Sequence, residues 1–262
     1  PGAVSEDRHV NHAGRGKVVL PKPPAGLQDV AEFNPGGLAG IWAEENARDA
    51  LFSALVRREV FGTSGPRIPV RFFASWQSPG EVCANGRLVE RGYADGVPMG
   101  GDLPPRPPDA GAPSFSVWAA RDPGPKRHPG TPLQRLQIVK GWVEDGDARE
   151  VVYDVAGDSS GRASVDEATC VQQGDGFDDL CAVWVDPDFD PAQHAFYYAR
   201  VLENPSCRWT AYACNALGVD CSDRRSAARE LYGQCCGADH PRSIQERAWS
   251  SPIWYEPAQA TQ

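Results

Sequence analysis

The sequence predicts two architectures in succession, an α/β segment over residues 1–68 and a mainly antiparallel β-sandwich with disulfides over residues 69–262. Three observations lead to this prediction. One helix pattern and two strand patterns follow one another between residues 34 and 76, and short strand patterns separated by proline and glycine repeat after residue 69. Most of the eight cysteines lie after residue 169, where disulfides would fix short strands and loops.

The α/β segment is predicted from the order of its elements. Asn46 is placed to cap a helix of about three turns that ends near Arg58, because apolar residues recur at helical spacing between them. Strands are predicted over Val60–Thr63 and over residues 69–76, and the turn sequence Ser64-Gly65-Pro66 separates them. This order of loop, helix, strand, turn and strand is typical of an α/β unit.

The sandwich is predicted from a regular rhythm of short strands and turns. Strands are expected over residues 70–76, 114–119, 133–143, 149–155 and 195–202, a short helix over residues 222–233, and a closing strand pair over residues 244–255. Asp145-Gly146 predicts a tight turn between two of these strands.

The cysteines predict disulfides rather than a structural zinc site, because their number is even and they form no pair of CxxC motifs. Cys170 and Cys181 flank a glycine-rich loop and are expected to close a hairpin end, while Cys83 reaches the others only through the fold. The remaining cysteines form a second cluster, in which the two adjacent residues are expected to have different partners: Cys207, Cys214, Cys221, Cys235 and Cys236. Disulfides in turn predict a periplasmic or secreted protein.

Charge and hydropathy exclude some functions. The net charge of −9 argues against unaided binding to nucleic acid or anionic membranes, because both require a basic surface. No apolar run approaches the ~20 residues that a membrane-spanning helix needs. The chain begins at Pro1 rather than at an initiator methionine, so we expect its start to be a processed end or the edge of a fragment.

Two groups of residues are candidates for a functional site. Glu6 and His12 belong to a cluster of carboxylates and imidazoles near the start of the chain, and these groups are common ligands of zinc, manganese and iron. The alternative is a solvated polar loop. Thr63, Ser64 and Arg67 lie at or just past the C-terminal end of a predicted strand, where α/β barrels place their chemistry. They are therefore candidates for substrate binding, and Arg67 is a candidate for binding an anionic group. The alternative is a turn with a surface arginine.

A third candidate is the acidic run at residues 186–190, which carries carboxylates at alternate positions. Three carboxylates so close together have the chemistry of a calcium site. Prolines at residues 187 and 191 and the lack of a following glycine or glutamate break the EF-hand pattern. An ordinary acidic loop is therefore favoured.

Several motifs resemble the C-terminal half of a large bacterial family catalogued as domain of unknown function 3604, and they occur in order along the whole chain. They are Asn34-Pro35-Gly36-Gly37, Trp42-Ala43-Glu44-Glu45-Asn46, Thr63-Ser64-Gly65, Arg67-Ile68, Val97-Pro98-Met99-Gly100-Gly101, Ile138-Val139-Lys140-Gly141-Trp142, Tyr197-Tyr198-Ala199-Arg200-Val201, Gln245-Glu246-Arg247-Ala248-Trp249 and Ser251-Pro252-Ile253-Trp254-Tyr255.

The resemblance implies a relation to the polymerase and histidinol phosphatase (PHP) superfamily, whose distorted α/β barrel binds divalent zinc, manganese or iron. Such enzymes hydrolyse phosphoester or related ester and amide bonds with a metal-activated hydroxide. Residues 1–68 would then be the closing segment of an incomplete barrel, and residues 69–262 an appended sandwich. The resemblance also implies that an N-terminal half carries most metal ligands and the catalytic residues, either in the same polypeptide or in a separate chain. We expect a small-molecule substrate and no activity from this chain alone.

A different class of function remains open, because the chain contains no complete catalytic triad or metal-ligand set. In this alternative it is a non-catalytic, extracytoplasmic β-sandwich that serves as a binding or structural module and is held by disulfides. A serine hydrolase that uses Ser64 is disfavoured, because Thr63-Ser64-Gly65 lacks the Gly-x-Ser-x-Gly elbow.

Overall fold

The computed structural model describes residues 36–126, 129–238 and 241–257, and in these ranges the chain is built mainly from antiparallel strands. The strands are β1 Leu38–Ile41, β2 Val60–Thr63, β3 Val70–Ser75, β4 Val97–Pro98, β5 Ser114–Ala120, β6 Leu133–Glu144, β7 Asp147–Gly157, β8 Ser164–Val165, β9 Gln172–Gln173, β10 Asp179–Val185, β11 Ala195–Glu203, β12 Ser206–Cys207, β13 Ser243–Ile244, β14 Arg247–Ser250 and β15 Ile253–Tyr255. The helices are α1 Arg48–Val56, α2 Leu88–Asp95, α3 Trp209–Ala216 and α4 Arg229–Cys236.

Two sheets form the body of the described structure. The larger has seven strands in the order β1-β2-β14-β11-β6-β7, with β15 also paired to β11, and the smaller has the order β10-β5-β3-β4. Two short ribbons, β8-β9 and β12-β13, lie beside them. All the named strand pairs are antiparallel, so the predicted antiparallel β architecture is confirmed.

The longest hairpin, β6-β7, follows from its turn sequence. Asp145 and Gly146 both adopt positive φ angles, 53° and 85°, the combination that a type I′ turn requires and that matches the twist of the flanking strands. The turn predicted at this position is confirmed. β11 then pairs with the other edge of β6 over most of its length, which gives the larger sheet its rigid centre.

The main core lies between the inner faces of the two sheets. Phe72 and Phe115 from the smaller sheet stack with ring centroids 5.6 Å apart, and Phe115 meets Tyr197 of the larger sheet at 4.4 Å. Ile138 and Ile253 are fully buried in the same cluster. Aromatic pairs bury large apolar areas, so these contacts hold the sheets face to face.

A buried ion pair also joins the sheets. Lys140 Nζ on β6 lies 2.6 Å from Asp186 Oδ2, directly after β10, and the two side chains are 3% and 0% exposed. Tyr197 donates its hydroxyl to the same carboxylate at 2.7 Å, while Asp188 donates its N–H to Asp186 Oδ1 at 2.9 Å and accepts from Lys140 through its carbonyl at 2.7 Å. The favoured interpretation of this run as an ordinary acidic loop therefore does not hold for Asp186.

The barrel part of the fold prediction is not supported. β1 pairs antiparallel with β2, and β2 pairs antiparallel with β14 near the C-terminus, whereas α/β barrels are made of parallel strands. The described residues form no closed barrel. The boundary at residue 68 stays a prediction, although β2 shares a sheet with the C-terminal strands.

Several local predictions need correction. α1 forms where expected, but Ala47 rather than Asn46 is its N-cap and makes no side-chain capping bond. The helix expected over residues 222–233 begins later, at Arg229. The strands β1 and β10 and the helices α2 and α3 were not predicted. The β-branched and aromatic residues of β10, such as Val183 and Trp184, were a signal for a strand that the sequence interpretation did not use.

All eight cysteines are paired, as Cys83–Cys181, Cys170–Cys207, Cys214–Cys235 and Cys221–Cys236. The predicted disulfides are confirmed, and so are the separate partners of the two adjacent cysteines. The expectation that Cys170 and Cys181 close one hairpin end is wrong. Cys181 lies on β10 against a small cluster formed by Phe73, Val82 and Leu88, which brings it to Cys83.

Residues 206–238 and 241–244 form what we call the cystine lobe. It contains α3, α4 and the β12-β13 ribbon, and its buried centre consists of Cys214, Val219 and Cys235. Two of the four disulfides lie entirely inside it. None of the helices in the described ranges is long and apolar enough to cross a membrane.

We predict that Lys140→Met lowers the free energy of unfolding by about 3–5 kcal/mol, because it leaves the Asp186 carboxylate buried without a cation. Adding Asp186→Asn should recover part of the loss, since a neutral amide still accepts from Tyr197. Guanidinium unfolding with the disulfides intact measures both. As a control, Arg87→Met removes the exposed ion pair with Glu90 and should cost far less, because water and salt screen an exposed pair. Equal losses for Lys140→Met and Arg87→Met would contradict a stabilising role for the buried pair.

Candidate functional site

The substrate-binding candidates lie at and just after the end of β2, and Arg67 lines a cavity of about 350 Å³. We call this cavity the carboxyl cleft, because its lining includes three acidic side chains together with Arg67: Asp122, Glu203 and Glu246. Thr63 and Ser64 lie at the end of β2 next to it. The metal-ligand candidates Glu6 and His12 lie outside the described residues, and their role stays a prediction.

Thr63 and Ser64 shape the edge of the cleft. Thr63 is buried, and its Oγ1 accepts from the N–H of Gly65 at 3.3 Å, which fixes the turn after β2. Ser64 Oγ donates to the carboxylate of Glu246 and accepts from the N–H of Arg247 at 2.8 Å. Ser64 therefore orients Glu246 and ties β2 to β14.

Arg67 stands at the mouth of the cleft, paired with Asp122. Its backbone N–H and its Nε both donate to Asp122 Oδ2, at 2.8 and 3.3 Å, and its Nη2 lies 3.5 Å from Oδ1. Burial acts to raise the pKa of Asp122, but hydrogen bonds from Arg67 and Gly124 outweigh it and hold that pKa below its usual value. Asp122 therefore stays ionised, and it fixes a guanidinium whose side chain is still 63% exposed.

Glu203 is the most unusual group in the cleft. It is the last residue of β11, where the register with β6 shifts, and such a bulge redirects a side chain. The residue is 1% exposed, and its Oε1 has no hydrogen-bond partner among the described residues. Burial, followed by the charges of Glu246 and Asp122, raises the pKa of Glu203 to about 8. At neutral pH this residue is therefore mainly a protonated carboxylic acid, able to donate a hydrogen bond.

Glu246 supplies the second carboxyl group of the pair. The N–H of Glu203 donates to the carbonyl of Glu246 at 2.9 Å, so the two residues are held side by side by the backbone. Burial raises the pKa of Glu246, while the hydrogen bond from Ser64 and the nearby Arg247 and Arg208 act to lower it. Both neighbouring acids therefore have pKa values above the usual range, and burial is the main cause for each.

This arrangement has the chemistry of a receptor for oxygen atoms. A protonated carboxyl group and an exposed guanidinium both donate hydrogen bonds, and perturbed acids in a cleft are frequent at functional sites. Thr63, Ser64 and Arg67 were predicted from the sequence as site residues, whereas Glu203 and Glu246 were not. The only local signal for Glu203 was its place at the end of a strongly predicted strand.

No group of three or more histidine, cysteine, aspartate or glutamate side chains is placed to hold a metal ion within the described ranges. Asp186, the first residue of the acidic run, is occupied by Lys140 and Tyr197. The residues of the carboxyl cleft therefore fit the binding of an oxygen-bearing group, and they do not fit a metal centre.

Comparison with known proteins identifies one family. The family model described as Protein of unknown function (DUF3604) matches residues 5–257 of the chain. No curated protein and no solved structure matches it. The match agrees with the resemblance carried by the motifs, and it extends across both sheets and the cystine lobe.

We predict that Glu203→Gln changes how stability depends on pH. Because the pKa of Glu203 is raised to about 8 in the folded state, the unfolded chain releases this proton first, so the wild type loses stability as the pH rises from about 4.3 to about 8. The glutamine variant lacks this loss. Between pH 4 and pH 8.5, the free energy of unfolding of wild type should therefore fall by a few kcal/mol more than that of the variant. A difference of one pKa unit between the folded and unfolded states corresponds to about 1.4 kcal/mol.

Denaturant unfolding at several pH values measures this difference. Glu81→Gln is a suitable control, because Glu81 is exposed and should leave the pH profile of wild type unchanged. A constant difference between the Glu203 variant and wild type from pH 4 to 8.5 would show that Glu203 titrates normally.

Proposed function

The chain belongs to the family described as Protein of unknown function (DUF3604), and we propose that it is the C-terminal part of a metal-dependent hydrolase of phosphoester or related ester and amide bonds. The observation that supports this proposal is the carboxyl cleft, where Arg67 and protonated Glu203 form a pair of hydrogen-bond donors. The motifs resemble this family, and the relation to the PHP superfamily that the resemblance implies suggests the reaction class. We assign the cleft to the recognition of an oxygen-rich group on a small-molecule substrate.

Each residue of the cleft has a distinct task in this proposal. Arg67 attracts the anionic oxygen of the substrate, and Asp122 holds the guanidinium in place through two hydrogen bonds. Glu203 donates its proton in a hydrogen bond to a second oxygen, because its buried carboxyl group is neutral near pH 7. Ser64 keeps Glu246 oriented beside it.

The metal of the proposed enzyme would be zinc, manganese or iron, and it would supply the hydroxide that attacks the substrate. Its ligands are assigned to the part of the protein that precedes the described residues, with Glu6 and His12 as candidates in this chain. The residues described here bind and orient the substrate.

We further propose that the protein works in the periplasm or outside the cell. Four disulfides support this location, because glutathione and thioredoxin keep most cytosolic thiols reduced. The same observation suits the alternative function, a non-catalytic extracytoplasmic binding module, so activity decides between the two.

We predict that Arg67→Ala raises KM at least ~10-fold and changes kcat less than ~3-fold, because a group that binds substrate and transition state equally affects KM alone. The protein is purified from its natural source together with the proposed N-terminal half, and it is assayed with manganese or zinc on p-nitrophenyl phosphate and p-nitrophenyl acetate. Arg87→Ala is the matched control, because Arg87 forms an exposed ion pair with Glu90 on α2 and should change neither constant.

The outcomes of this assay separate the two functions. Metal-dependent turnover with a raised KM in Arg67→Ala supports both the hydrolase and the role of the cleft. Turnover that is indifferent to Arg67→Ala keeps the hydrolase and rejects the cleft as its substrate site. A protein that binds no metal and hydrolyses neither ester supports the non-catalytic module.

We also predict that protein isolated from its source takes up no iodoacetamide in denaturant without reductant, and eight carbamidomethyl groups after reduction, because all eight cysteines are paired. Intact mass spectrometry measures both states. If most thiols were labelled before reduction, the proposed location would be wrong.

A further inference from the structure

A second and larger cavity, of about 850 Å³, lies where the hairpin end of β6-β7 meets β15. We call it the aromatic cleft. The lining residues that matter here are three aromatic and three polar side chains: Trp142, Phe196, Trp254, Arg149, Glu150 and His194. Its volume falls in the range of about 300–1,000 Å³ that is usual for sites of small organic ligands.

Two aromatic rings form the floor of the cleft. Phe196 on β11 lies directly opposite Trp254 on β15, and their ring centroids are 5.2 Å apart. The Phe196 ring rests on Gly141, where an added Cβ would come within 2.3 Å of the ring. Glycine at this position therefore lets the ring lie flat against the sheet, and the exposed Trp254 extends the surface.

The backbone that carries this floor is held on both sides. Trp254 N donates to the carbonyl of Gly101 at 3.1 Å, and Leu103 N donates to the carbonyl of Trp254 at 2.8 Å. On the other edge, β15 pairs with β11. A ligand that stacks on Trp254 would thus meet a surface that is already in place, and little backbone ordering would oppose binding.

Polar groups stand along one side of the floor. The register places Trp254, Phe196, Gly141 and Glu150 in one row across β15, β11, β6 and β7, so a carboxylate follows the rings on the same face. Arg149 and His194 are exposed at the end of the cleft. These side chains offer both hydrogen-bond donors and acceptors next to an apolar surface.

We propose that the aromatic cleft binds an uncharged oligosaccharide. A sugar ring has a flat C–H face and an edge of hydroxyl groups, and the cleft presents an aromatic floor beside carboxylate, guanidinium and imidazole groups. The lining carries a net negative charge, because it contains two glutamates, Glu150 and Glu256, and one arginine, Arg149. This charge disfavours acidic sugars. A purely apolar ligand would leave the polar side unused. This site is separate from the carboxyl cleft and does not depend on the proposed hydrolase activity.

Calorimetric titration of the full chain tests the proposal. The probes are four neutral hexasaccharides (cellohexaose, xylohexaose, mannohexaose and chitohexaose) and the acidic hexagalacturonate. We expect at least one neutral hexasaccharide to bind, and to bind more tightly than hexagalacturonate. Trp254→Ala should weaken that binding at least ~10-fold, because it removes the exposed ring of the floor.

Matched variants make the test specific. Trp254→Phe keeps a ring and should retain most of the affinity, whereas Gly141→Ala should weaken binding by displacing Phe196. Two control variants should leave the affinity unchanged. Phe52→Ala removes an aromatic side chain that is 66% exposed on α1, and Arg67→Ala alters the carboxyl cleft. The proposal is overturned if no neutral hexasaccharide binds, if only hexagalacturonate binds, or if Trp254→Ala and Phe52→Ala bind as wild type does.

Discussion

The ion pair between Lys140 and Asp186 is the interaction on which the relation of the two sheets depends. Apolar contacts between sheets tolerate small shifts, but a buried ammonium and a buried carboxylate 2.6 Å apart do not, because separating them leaves two desolvated charges. Tyr197 completes the arrangement from β11. The pair fixes where β10 ends relative to β6, and it thereby places Trp142, two residues beyond Lys140, at the end of the sandwich that carries the aromatic cleft.

The sequence predicted the elements that depend on local chemistry. The β6-β7 hairpin was predicted because Asp145-Gly146 favours positive φ angles, and β11 because its aromatic and β-branched residues favour strands. The described residues do not support the barrel prediction, and the reason is physical. A helix followed by a strand looks the same along the chain whether that strand later pairs parallel or antiparallel, and the partner of β2 is β14, which lies near the other end of the sequence.

The candidate site also depends on contacts between residues that are distant in the sequence. Ser64 and Arg67 were identified because the turn after β2 is local, but the acids that give the cleft its chemistry come from distant strands. Glu203 is brought beside Glu246 by backbone pairing, and its raised pKa results from burial, which no sequence pattern records. Asp122 contacts Arg67 through its side-chain carboxylate, although the two residues are 55 positions apart in the sequence.

The cystine lobe is made largely of its own crosslinks. Its buried centre consists of Cys214, Val219 and Cys235, and partly buried side chains such as Leu231 and Tyr232 pack against it, so the crosslinks supply much of the contact that holds α3 and α4 together. Cys235 and Cys236 on α4 form disulfides with Cys214 and Cys221, respectively. The sandwich, in contrast, has an aromatic core that contains no cystine. The molecule thus combines a body whose core is apolar with an appendage whose centre is largely cystine, so reduction of the disulfides removes a larger share of the internal contacts from the appendage than from the body.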